Sequence, residues 1–243
     1  MPQYLAPQSD VTRLAFMSRA IKTAEAVPEG GIQRLPAQLL ADLKIHYAAY
    51  RAAYDAAEAA LSQRKTETAE SAAAMARLQM YLSHLWTAVT NRAQRENQPV
   101  GVLGYYKLTN DGARPTPRSR EEWLEMAQSV INGDAAAAAA GHPAAVSPSA
   151  AEVQDILDIA IAESNDLPVA DTAYDEAQTA VAALRPQADK LIKAVRAAVI
   201  YSTYDMDPAS QRRVLRNFGS VYRHLPGETV EDEVETAVAS EDE

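Results

Sequence analysis

Between Pro36 and Pro99 the chain holds no glycine or proline, and its apolar positions recur every seventh residue. One ladder reads Tyr47, Tyr54, Leu61, Thr68, Met75, Leu82, Val89. The ladder interleaved with it reads Leu43, Tyr50, Ala57, Arg64, Ser71, Leu78, Leu85. Steps of three and four residues place both ladders on one stripe of an α-helix. The polar stretch Ser62 to Glu70 thins the stripe, and a turn there is the competing reading. Leu61 and Met75 nevertheless stand two heptads apart, so the register survives the gap. One uninterrupted helix would then run for about 60 residues, roughly 90 Å at 1.5 Å per residue, a length suited to an elongated bundle or coiled coil.

The second half repeats the design. Ser149, with Glu152 three residues on, has the spacing of a capping box and opens a helical pattern that runs to about Asp205. Its ladders read Leu167, Tyr174, Val181, Ala188, Val195 and Ala177, Leu184, Leu191, Ala198. Pro168 and Pro186 lie inside this run; each lacks a backbone donor and crowds the carbonyl four residues earlier, so each is expected to bend or break the helix. A shorter helix is predicted over Asp10 to Val27, with Val11, Leu14, Ala15, Met17, Ser18, Ile21 and Ala24 as its packed face, before Pro28-Glu29-Gly30-Gly31 ends it.

Between the halves the pattern changes. Pro99 to Thr109 is rich in glycine and β-forming residues, Asn110-Asp111-Gly112 signals a turn, and Ser119 with Glu122 caps a short helix over Glu121 to Ile131. Ala135 to Ala140 reads as a flexible link closed by Gly141-His142-Pro143. Near the end, Asp207-Pro208 starts a helix to about Asn217, and Gly219 to Leu225 reads as extended, with Val102 to Leu108 as its expected β partner. The expected fold is all-α: an elongated antiparallel helical bundle of two long bent helices plus short helices, with a small irregular or β insertion. Residues 1–35 would form an N-terminal helix and turn, 36–225 one elongated bundle with its insertion at 99–148, and 226–243 a disordered acidic tail.

Composition supports helix and narrows the chemistry. Alanine occupies 49 of the 243 positions and glycine 9, and a chain of this length can bury a core without covalent staples. With no cysteine, disulfides, thiolate zinc sites, iron–sulfur clusters and a cysteine nucleophile are excluded. The formal charge of −10 argues against general nucleic-acid binding. Eight acids and no Lys or Arg fall between Pro226 and Glu243; without those eight, 25 acids face 23 bases, so the rest of the chain is nearly neutral. Such a tail cannot bury enough surface to order itself. Just before it stand Arg212, Arg213, Arg216 and Arg223, an arginine cluster that could cap the bundle, meet the tail, or, together with Tyr222, grip an acidic protein surface or a nucleic-acid backbone. The N-terminus has no basic stretch followed by an apolar run, and no segment is long and apolar enough for a transmembrane span, so the expectation is a cytoplasmic protein.

Several stretches taken in order resemble a known group: the alanine-rich long helix, Gly104-Tyr105-Tyr106, Asp111-Gly112, Trp123-Leu124, Pro148-Ser149-Ala150-Ala151-Glu152, and the run Ser210 to Gly219. Over about residues 40–222 the chain is similar to an uncharacterised family of bacterial alanine-rich helical proteins with no assigned activity. The resemblance implies a helical fold and supplies no catalytic residue, ligand or cofactor.

Candidate chemistry is sparse. A di-iron bundle needs Glu three residues before each ligating His, but Leu43, Tyr81, Ala139 and Val221 precede the four histidines at that spacing. Asp42 and His46 stand one helical turn apart, as a surface hydrogen bond would place them. Gly-x-Ser-x-Gly is missing, so nucleophilic hydrolysis has no signature. Gly101-Val102-Leu103-Gly104 with Lys107 superficially looks like a phosphate loop, yet lacks the spacing of either nucleotide fingerprint and reads better as tight turns. With no catalytic, cofactor or metal residue to name, the expected function is a non-enzymatic structural or interaction protein that self-associates through helix stripes, up to a filament. The alternatives are a module holding a small ligand or protein partner at Tyr47, Tyr50, Tyr54 and Tyr174, and a membrane-acting helical protein.

Overall fold

The computed structural model describes residues 2–28, 31 and 35–223. The order is β1 (Gln3–Leu5), α1 (Asp10–Ala26), α2 (Ala37–Arg95), α3 (Gly101–Tyr105), α4 (Arg120–Ala139), α5 (Ala150–Ser202), α6 (Pro208–Asn217) and β2 (Val221–Arg223). Among the described residues the protein is all-α apart from two three-residue strands, and two long helices dominate it. α2 is one continuous helix of 59 residues, with no turn at Ser62 to Glu70. α5 spans 53 residues and passes through Pro168 and Pro186 without interruption. Each proline forfeits a backbone bond, a loss of ~3 kcal/mol in an exposed helix interior, which the packing of the α5 ladder offsets here. The two helices run antiparallel: His46 meets Leu184, Arg64 meets Asp171 and Glu67 meets Glu163, so partners descend along α5 as residues ascend along α2.

The chain divides into two compact units, one of residues 1–59 and 175–243 and the other of residues 60–174. In the first unit, Leu43, Tyr50 and Ala57 of α2 face Val181, Ala188 and Val195 of α5, as the ladders predict. Onto them pack Leu14, Phe16 and Met17 of α1 and Val214, Leu215 and Phe218 at the end of α6. The packed face of α1 differs from the expected one in that Phe16 and Ala20 are buried while Val11 is 57% exposed. Phe16 finds its space at Gly219, whose φ of +98° lets the backbone turn close beneath it.

The small sheet also lies in this unit. β2 pairs antiparallel with β1, Tyr4 opposite Tyr222, rather than with Val102 to Leu108. The reason lies in the second unit, where the Gly101 to Leu108 stretch folds as α3 and a turn and buries Val102, Leu103, Tyr106 and Leu108. Burying such side chains contributes about 1.5–3 kcal/mol each, more than the ~1 kcal/mol spread of strand preference.

The second unit is built on Leu78, Leu82, Leu85, Trp86 and Val89 of α2 and Val153, Ile156, Leu157 and Ala160 of α5. α4 covers them with Ala127, Val130 and Ala137. Its length corrects another expectation: Ala135 to Ala139 continues the helix begun at Arg120 instead of forming a flexible link. Alanine is the best helix former, and Ala137 is fully buried, so both local preference and packing favour the helix. Its start behaves as expected, Ser119 Oγ accepting from the Glu122 amide at 3.2 Å. The capping box at α5 also forms: the Glu152 amide donates to Ser149 Oγ at 3.2 Å, and the Ser149 amide donates to Glu152 Oε2 at 2.8 Å. The acidic tail at 226–243 and His224 lie outside the described residues.

Candidate functional site

In each unit a fully buried tyrosine donates its hydroxyl to an aspartate. In the first, Ser9 caps α1 and brings Asp10 to the helix start. Asp10 accepts from Tyr50 Oη at 2.6 Å and takes a two-pronged bond from Arg185 at 2.8 and 2.9 Å. One turn on, Arg13 donates to Asp189 at 2.8 Å. The Arg185 guanidinium, followed by the Tyr50 hydroxyl, holds the Asp10 carboxyl below its usual range despite opposing burial. Burial and the Asp10 carboxylate push Tyr50 up to about 12. These groups pin α1 to both long helices and leave the Tyr50 hydroxyl no role in an open cleft.

Tyr47 and Tyr54 sit half-buried against the same core. Tyr174 belongs to the second unit, where the Arg64 guanidinium stands 5.3 Å from its ring centre. His46 does not use Asp42: its Nε2 lies 3.0 Å from the Leu184 carbonyl, and Asp42 accepts from Gln38 instead. On α6, Arg212 and Arg216 are half-buried and Arg213 is exposed, with Val214 and Leu215 turned into the core. Arg216 lies 5.8 Å from the ring centre of half-buried Tyr222, and Arg196 stands 3.2 Å over the ring of Tyr4. Cation–π contact thus ties the strand pair to the helices.

In the second unit, Tyr106 donates to Asp134 at 2.7 Å, and the Ala145 amide donates to the same oxygen at 2.8 Å. Burial and the Asp134 carboxylate push Tyr106 up to about 12. Trp86 Nε1 donates to the Tyr106 carbonyl at 2.9 Å, which fixes the end of α3 against α2. Gly133 lets α4 approach closely, because a Cβ there would lie 1.7 Å from the Tyr105 carbonyl oxygen.

Beside this contact opens a cavity of about 740 Å³ along α3 and α4. Lys107, Ser129, Asn132 and His142 supply its polar groups, and Gly101 and Gly104 line the α3 side. The Tyr105 and His142 rings lie 6.1 Å apart at its wall. Elsewhere in the unit, Glu67, Glu163 and Asp166 each bring a carboxylate oxygen within 4.8 Å of the others, the arrangement among the described residues that could hold a cation. Burial and the carboxylates of Glu70, Glu67 and Asp166 raise Glu163 above the usual range.

Sequence reasoning missed the two tyrosine–aspartate bonds and most of the cavity. Asp10 reads only as a helix start, and nothing in the local pattern singles out Asp134. Gly101, Gly104 and Lys107 did stand out by spacing, but Ser129, Asn132 and His142 join them only through the packing of α4.

Fold and sites together describe an all-helical protein of two compact units with small polar clusters on packed helices. Compared with known proteins, the chain matches no protein-family model, no curated protein and no solved structure.

Proposed function

We propose that this is a non-catalytic interaction protein that associates with further copies of itself. Most apolar rungs of the seven-residue ladders are packed within their own unit, so the reading rests on a surface outside them. The supporting observation is the end of α5, where Ile200 is 40% exposed and Tyr201 and Tyr204 are each 80% exposed. Tyrosines are enriched at protein interfaces, combining a large apolar ring with a polar tip and little rotamer entropy to lose. Gln211 of α6 bonds the Ile200 and Thr203 carbonyls at 3.4 and 3.1 Å, which braces this end of the helix from below. The imidazole of His46 is engaged by a backbone carbonyl, in keeping with a packing rather than a proton-transfer role. Assembly into a filament would be the extended form of the same association.

Sedimentation velocity over a wide concentration range tests this. The full chain should show concentration-dependent association, and Tyr201→Ser with Tyr204→Ser should shift it toward monomer without lowering thermal stability. A strict monomer at high concentration, or association indifferent to both substitutions, would remove the reading.

A further inference from the structure

We propose that the cavity along α3 and α4 is a binding site for small organic anions bearing a phosphate or carboxylate group. It is an open groove rather than an enclosed chamber, and its volume of about 740 Å³ lies within the roughly 300–1,000 Å³ of small-molecule sites. Among the described residues no Asp or Glu lines this cavity, whereas Lys107 and His142 do. Asn132 and Ser129 add an amide and a hydroxyl from α4, donors that can complete the coordination of an oxyanion.

The glycines give a second and independent argument. α3 has five residues; glycine opens it at Gly101 and recurs within it at Gly104, where it costs roughly 1 kcal/mol relative to alanine. Packing explains Gly133, whose missing Cβ admits the Tyr105 carbonyl. It does not explain Gly101 or Gly104, because a Cβ at either would meet nothing within 4 Å. Both instead leave bare backbone facing the open volume, as a site does when a ligand must approach the main chain closely.

Lys107 sharpens the case. It follows α3 with a φ of +60°, a left-handed conformation that costs most non-glycine residues about 1–2 kcal/mol and that glycine would adopt freely. Here the helix end is closed by the Lys107 amide donating to the Gly104 carbonyl at 3.1 Å, and the residue in the strained position carries a cation. Glycines thus stand where alanine would fit, and a lysine stands where glycine would fit. An anion seated between Lys107, His142 and Asn132, with its body against the Tyr105 ring, accounts for both departures.

The test is a backbone-amide NMR titration of the full chain with inorganic phosphate, adenosine monophosphate and benzoate, with adenosine as the uncharged control. The anions should move the amides of Gly101, Gly104, Lys107 and Asn132, and adenosine should not. Lys107→Asn removes the cation but tolerates the left-handed backbone, and should weaken binding at least fivefold. Gly104→Leu, which fills open space without a clash at Cβ, should abolish binding while the rest of the spectrum stays folded. The proposal is overturned if no anion moves these amides, if adenosine moves them equally, or if binding survives both substitutions in a protein whose spectrum remains native.

Discussion

Two glycines close together in space predict opposite outcomes for the same substitution. At Gly133 an added methyl would stand 1.7 Å from a backbone oxygen of Tyr105, which cannot move without dragging α3. Gly133→Ala should therefore cost about 3 kcal/mol or more in urea unfolding, although alanine is the better helix former. Gly104→Ala meets open space and should stabilise by about 0.5–1 kcal/mol. Asp10 sets a third expectation. Its side chain is 19% exposed and holds Arg185 and Tyr50, so Asp10→Ala should cost about 1–2 kcal/mol, with the partial exposure of Arg185 limiting the effect. Because the folded carboxyl titrates below its usual value, this contribution is fully present above about pH 4 and lost as pH falls through the lowered folded value. The mutant and parent stability curves should accordingly converge in acid. None of these three residues declares its role in one dimension: a glycine looks alike whether it admits a backbone or a ligand, and Asp10 and Arg185 are far apart along the chain.

The long helices were legible because their evidence is periodic and repeated. Leu43, Tyr50, Leu78 and Leu85 on α2, and Val181, Ala188 and Val195 on α5, are all buried, and the polar stretch between the rungs of α2 stays helical because no residue there opposes it. Short elements lack that redundancy. β1 is three residues long and carries no pattern to detect, while α3 was hidden behind β-forming side chains that the core recruits into a helix. The α2–α5 pair has one local conflict, Glu163 among the carboxylates of Glu67, Glu70 and Asp166. Its raised folded value means that the folded state is favoured below the usual glutamate range and loses that advantage as pH rises through the raised value. Glu163→Gln should therefore raise the melting temperature at neutral pH, and the gain should vanish at pH 4. A mutant that melts lower at neutral pH would show instead that the charge is compensated.

Each compact unit has its own core, yet α2 and α5 cross the divisions at residues 59/60 and 174/175 without leaving the helix. Tryptophan occurs only at Trp86 and Trp123, both in the unit of residues 60–174. Urea unfolding followed by tryptophan emission thus reads that unit, whereas circular dichroism reads all the helices. Helix formation is cooperative along an unbroken run, so Asp10→Ala in the other unit should lower both midpoints together. A circular-dichroism midpoint that falls while the emission midpoint stays fixed would show that the units unfold separately. At this scale the candidate sites were the least legible feature: Gly101, Gly104 and Lys107 share a local spacing, but the residues facing them arrive with α4.

Continuity of the two long helices also limits how the gene can change. Within the unit of residues 60–174, one codon added between Leu78 and Leu82 would swing Leu82, Leu85 and Val89 by about 100° relative to Ser71, Met75 and Leu78, turning leucines outward on one side of the insertion. Seven added codons would leave an error of only about 20°, provided α5 gains a block of the same length opposite them. Viable insertions and deletions in this stretch should therefore come in matched seven-residue blocks.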